Sequence, residues 1–176
     1  TIRPGYDSLD DALVEGAAPI PSAPSTGVAV NLTIFDGTTN PDWPAWDCCG
    51  GTTPAIVEDS EEGDVYEFSI GAEPTVMGFI TRPVSGGGDT PFDASALADG
   101  GLLQFYMRVV SMPNDASAAW LFKVESNDAS SAVELSLSDS VEGQSPVAGE
   151  WQTYTFPIAD LQAAGLDISA IDVLMV

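Results

Sequence analysis

From Val28 onward apolar and polar residues alternate with a period of two, and clusters of Gly, Pro, Asn and Asp interrupt them every few residues. The runs VAVNLTIFD, PAIVEDS, DVYEFSI, TVMGFITR, LLQFYMRVVS, AAWLFKVES, AVELSLS, WQTYTFPI and AIDVLMV each read as a short strand. In AAWLFKVES the alternation places Trp120, Phe122 and Val124 on one face, and Leu121, Lys123 and Glu125 on the other. In LLQFYMRVVS it groups Phe105, Met107 and Val109 and turns Gln104, Tyr106 and Arg108 the opposite way. Short strands at this spacing predict an all-β fold, a β-sandwich or jelly roll of two antiparallel sheets. Helix is expected only twice in this part of the chain: a single turn in PFDASALADGG with Asp93 as its cap, and IADLQAAGL stopped by Gly165.

Residues 1–27 follow no such alternation. SLDDALVEG suits one short helix with Ser8 as N-cap and Gly16 beyond its end, and GAAPIPSAPSTG is an extended Pro/Ala/Ser linker. The expected organisation is a tether over residues 1–27, joining a preceding module, and a β-domain over 28–176. AIDVLMV closes the chain on Val176 within an apolar run, so the domain is expected either to end on a short strand or to lack its last one.

Charge narrows the partners. The 176 residues hold 27 Asp+Glu against 4 Lys+Arg, a formal net charge of −23. Nucleic acid and anionic membranes both need a basic footprint, so neither is an expected partner. The acids are interleaved with Val, Ile, Phe and Tyr, which reads as a solubility device for salty water, where a Debye length of about 4–5 Å screens self-repulsion. No apolar run reaches the length of a membrane span, and no basic-then-apolar leader opens the chain. Histidine is absent, which removes His-dependent triads, His-containing zinc sites and the commonest general base. No GxSxG, P-loop or dinucleotide glycine pattern occurs either. Paired-carboxylate chemistry stays open on composition alone, but no strand carries a tight acid motif. The expectation is a monomeric non-enzyme.

One stretch carries the candidate chemistry. In DWPAWDCCGG, residues 42–51, Pro44 together with Pro41 just before it denies the segment a helix or an inner strand, and Gly50-Gly51 end it. Trp43 and Trp46 are expected to form a platform that stacks on the C–H faces of pyranose rings, with Asp42 and Asp47 accepting hydrogen bonds from sugar hydroxyls. The opposing reading folds this loop over the sandwich with both indoles inward. Cys48 and Cys49 are the only cysteines, so an intrachain disulfide must join neighbours. Adjacent Cα atoms lie about 3.8 Å apart, below the usual disulfide range of about 4.4–6.8 Å, so the ring is strained; two free thiols are the alternative. Arg82, Arg108 and Lys123 fall on strands at positions facing away from the core. They suit either specific hydrogen bonding, with Arg108 and Tyr106 as the floor of a sugar site and Arg82 beside it, or pairing with the acidic sheet.

DWPAWDCCGG, together with GEWQTYTFPIADLQAAGLDISAIDVLMV at the other end, resembles the galactose-binding-like module of ExoP type found in marine bacterial glucan exohydrolases. The resemblance spans roughly residues 28–176. It implies a sandwich of two antiparallel sheets, a secreted or periplasmic location, an adjacent glycoside hydrolase catalytic domain in the same chain, and often a structural calcium. Asp36, Asn40 and Asp172 are the candidate calcium ligands. No organic cofactor is implied. The expected function is a non-catalytic carbohydrate-binding module for a neutral polysaccharide, a β-glucan such as laminarin, or agarose. The alternatives are a structural accessory domain packed on the catalytic domain, a protein-interaction module, and a small glycan-cleaving enzyme.

Overall fold

The alternating runs fold into strands, each bounded by the turn residues that flank it. A computed structural model describes residues 31–48, 54–70 and 75–176. The expected helix and tether of residues 1–27 lie outside the described residues. So does Cys49, and with it any bond to Cys48. The strands are β1 (Ala45–Cys48), β2 (Ala55–Asp59), β3 (Gly63–Glu67), β4 (Val76–Ile80), β5 (Leu102–Arg108), β6 (Leu121–Ser126), β7 (Ser131–Ser136), β8 (Trp151–Pro157) and β9 (Ile171–Met175). All their ladders are antiparallel, in a five-stranded sheet ordered β1-β4-β9-β6-β7 and two pairs, β2-β3 and β5-β8. Among the described residues no helix is long and apolar enough to cross a membrane.

Two expectations change. In the described part of VAVNLTIFD no ladder strand forms, only an isolated bridge between Phe35 and Thr39. DWPAWDCCGG, read as irregular, contributes β1. Pro44 immediately precedes that strand and β1 is at the sheet's edge, where a missing N–H costs no ladder bond.

The last strand takes the middle place. β9 pairs with β4 on one side and β6 on the other, in the registers Gly78↔Met175 and Val124↔Leu174. A central strand covered on both faces needs no polar alternation, which is why Ile171–Met175 reads as an unbroken apolar run around Asp172. Gly78 allows the close approach: a Cβ there would collide with the Leu174 carbonyl and stand 2.7 Å from the Met175 Cα.

The β5-β8 pair turns its apolar side to β6. Leu103, Phe105 and Met107 alternate inward on β5, as Tyr154 and Phe156 do on β8. Phe105 lies 5.0 Å from Phe122 and 5.4 Å from Tyr154 between ring centroids, and Phe122 lies 4.8 Å from Phe156. Burying such rings contributes about 1.5–3 kcal/mol each. Helix α1 (Ile158–Ala163) adds Ile158 and Leu161 to this core. Gly165 stops it as expected, with φ of 106° and the Leu166 N–H donating back to the Leu161 carbonyl at 3.0 Å. The turn near Asp93 also forms, as a short 3-10 segment over Ser95–Leu97; Asp93 Oδ1 accepts the Ser95 N–H at 2.9 Å.

Gly78→Ala is expected to break the β4–β9 approach and lower the unfolding midpoint more than Val84→Ala, a change at a side chain that is 89% exposed. Chemical denaturation of both variants checks this; equal losses would count against the crowding at Gly78.

Candidate functional site

One side chain of the tryptophan loop is interior. Trp43 is 1% exposed and belongs to the buried cluster that includes Phe122, Tyr154 and Leu161, so it presents no face to a sugar. Its N–H donates to the Asn40 carbonyl at 3.0 Å, and Asn40 Oδ1 accepts the Asp42 N–H at 3.0 Å, a turn that drives the chain inward. Trp46 sits opposite Gly78 in the β1–β4 register and packs on the separate cluster of Ile80, Val173 and Met175. Strand alternation then brings Asp47 Oδ2 to a buried position without a hydrogen-bond partner, while Asp42 stays exposed. The expected platform is therefore corrected: Trp43 is core, and Trp46 lies against the sheet. The Asn40 turn carries Trp43 inward, and Trp46 follows the side of β1 on which it falls.

The cations among the described residues are paired. Arg82 spans Asp172 with two bonds, Nε to Oδ2 at 3.0 Å and Nη2 to Oδ1 at 2.7 Å, and Nη2 reaches Glu125 Oε2 at 2.8 Å. A bulge prepares this arrangement. The β6–β9 register passes from Glu125↔Val173 to Ser126↔Ile171, leaving Asp172 as the extra residue with its carboxylate re-aimed at Arg82. The Asp128 N–H also donates to Asp172 Oδ2 at 2.7 Å. Lys123 holds Glu125 at 2.9 Å. Arg82 is thus a structural clamp and not a free sugar ligand.

The expected calcium ligands serve separate contacts. Asp36 accepts the Thr38 N–H at 3.4 Å, Asn40 donates to the Thr33 carbonyl at 3.3 Å, and Asp172 is neutralised by Arg82. Among the described residues no group of three or more metal-binding side chains forms. A guanidinium supplies at Asp172 the positive charge that an ion would bring.

A different face gathers exposed chemistry. On the outward side of the β5-β8 pair the register sets Arg108 opposite Trp151, Tyr106 opposite Thr153 and Gln104 opposite Thr155. The Tyr106 and Trp151 rings stack diagonally at 5.1 Å and 20°, and the Arg108 guanidinium lies 4.9 Å above the Trp151 ring. The tip of the β2–β3 hairpin leans on this stack. Asp59 accepts from the Arg108 guanidinium and from the Trp151 indole N–H at 3.4 Å, while its other contacts, the N–H groups of Glu61 and Glu62, shape the turn. Gln104 is held by Thr155 at 2.9 Å, and Thr155 by Glu142 at 2.7 Å.

Beside the stack opens a cleft of about 560 Å³ lined by Phe35, Glu62, Gln104, Phe105, Tyr106 and Thr153. Burial, then the negative charge of Glu62 and its hydrogen bond, then Glu61, push the Tyr106 phenol above its ordinary value. Aromatic area with amide, hydroxyl and carboxylate groups in one open groove suits a polyhydroxylated ring. Tyr106 and Arg108 stood on one face by alternation. Glu62, Thr153 and Asp59 were missed, since their place depends on how the hairpin and β8 pair with distant partners. Comparison with family models, with curated proteins and with solved structures finds no match to this chain.

Arg82→Met is expected to cost about 3–5 kcal/mol in a denaturant melt, because it strands the Asp172 carboxylate, whose side chain is 3% exposed, and leaves Glu125 to Lys123 alone. A loss below about 1 kcal/mol would show the clamp to be dispensable.

The hairpin contact should also follow pH. The Glu61 N–H, then Arg108 and the Glu62 N–H, hold the Asp59 carboxyl below its ordinary 3.8 against the opposing effect of burial. A depressed folded value means the contribution is complete above 3.8 and disappears as pH falls through the lower folded value. The Trp151 indole N–H resonance should shift across that acid step in wild type and not in Asp59→Asn; an identical profile in both would sever the link.

Proposed function

We propose that the chain is a non-catalytic carbohydrate-binding module of galactose-binding-like, jelly-roll type, carried by a secreted polysaccharide-degrading enzyme. The observation that supports this best is the cleft on the β5-β8 pair, where Tyr106 is 47% exposed although it is stacked on Trp151. A ring held flat and left half open is a ready stacking surface for a pyranose, and its order is set before ligand arrives. Gln104 and Thr153 supply hydrogen bonds to hydroxyls, and Glu62 accepts them. Among the described residues that line the cleft Glu62 is the single carboxylate, which favours the non-catalytic reading. The chain's net charge disfavours polyanionic glycans and leaves neutral ones, a laminarin-type β-glucan or agarose.

A second reading has its own support. Leu102 is 59% exposed on the same outward face as Tyr106, and an apolar neighbour there suits packing against a catalytic domain. The two readings separate in one experiment. Tyr106→Ala should weaken retention on laminarin or agarose gels by about 1–3 kcal/mol while leaving the melting curve close to wild type. Retention by wild type on no neutral glycan, with Tyr106→Ala folded normally, would remove the glycan reading and favour the accessory one.

A further inference from the structure

The cleft has an aromatic floor and a carboxylate, yet its lining residues include no cation. The nearest guanidinium on that face, Arg108, is committed to Asp59 and to the Trp151 ring, and its Nη1 also lies 4.0 Å from Glu61. Among the described residues Glu62 lines the cleft with no ion pair, Asp59 is taken up by Arg108, and Glu61 lies 4.0 Å from the same guanidinium. A hydroxyl of a neutral sugar donates one hydrogen bond to the Glu62 carboxylate. An ammonium at the same place brings three donors and a full positive charge, which adds a Coulombic attraction that the hydroxyl lacks. The half-exposed Tyr106 ring adds a face that attracts cations.

We infer that this cleft selects protonated amino sugars over neutral sugars of the same ring size, with Glu62 reading the ammonium and Tyr106 carrying the ring. This rests on the glycan-binding reading of the same face. The raised Tyr106 phenol is consistent with the negative field, since burial and the charges of Glu62 and Glu61 cause it. Gln104 and Thr153 keep their role toward hydroxyls in either kind of ligand.

Calorimetry with short glucosamine oligomers, N-acetylglucosamine oligomers of equal length and β-1,3-glucan oligomers tests it, at a pH where the free amines are protonated. The free-amine oligomer should bind about fivefold tighter than its acetylated twin, the factor that one unit charge near 4 Å supplies in water. That preference should fade when salt shortens the Debye length from about 10 Å to about 3 Å. Glu62→Gln should abolish the preference and keep the weaker neutral binding; Tyr106→Ala should weaken all three ligands. Asp160→Asn removes an equal charge on the exposed first turn of α1 and should change nothing. Should Asp160→Asn reduce the preference as much as Glu62→Gln does, attraction is to the whole acidic surface and the inference is wrong. Equal binding of neutral and amino oligomers overturns it while leaving the glycan-binding reading intact. Binding of none of the three overturns both.

Discussion

The structure depends on β9 entering between β4 and β6. That strand comes last in the described chain yet forms the middle of the five-stranded sheet, so β4 and β6 have no ladder to each other without it. Two local features make the place fit. Gly78 removes the side chain that would block the Leu174–Met175 backbone, and the bulge at Glu125/Ser126 turns Asp172 toward Arg82. Arg82 then ties the end of β4 to β9, β6 and the β6–β7 turn through Asp172, Glu125 and Asp128. Taking these charges from water costs several kcal/mol per ion, which the paired geometry offsets; a register that separated them would bury the carboxylates alone. Pairings so distant in sequence carry a loop-closure cost before they gain contacts, which makes slow folding the physical consequence of this topology.

The same sheet divides the two tryptophans. Trp43 precedes β1 and joins the buried cluster that β6 and the β5-β8 pair also supply, whereas Trp46, on the strand itself, stands opposite Gly78 in the ladder and packs on Ile80, Val173 and Met175. The exposed chemistry consequently moves to the outward side of β5 and β8. There the hairpin β2–β3 is held at two levels: Tyr66 meets Phe79 at 5.5 Å and Phe35 at 4.8 Å, and Asp59 at the tip holds Arg108. Those anchors bring Glu62 to the cleft, and they leave Tyr106 open because Arg108 and Trp151, not Tyr106, take the contact with Asp59.

Local sequence pattern by itself determined the strands β2 to β9, the inward and outward faces of β5, the stop of α1 at Gly165 and the placing of Tyr106 with Arg108 on one face. These are local properties, written in neighbours two to five residues apart. Composition also determined the shortage of cations that makes each arginine informative. Which strands pair, and therefore what stands opposite what, was decided only in the tertiary structure. DWPAWDC looked like an exposed loop because prolines exclude inner strands, but edge pairing tolerates them, and Trp43 went inside once β1 joined β4. Asp172 looked like a free calcium ligand because nothing in the local sequence announces a bulge or an arginine ninety residues away. The cleft beside Tyr106 likewise joins Phe35, Glu62, Gln104 and Thr153 from four separate segments, and only long-range pairing brings such segments to one face.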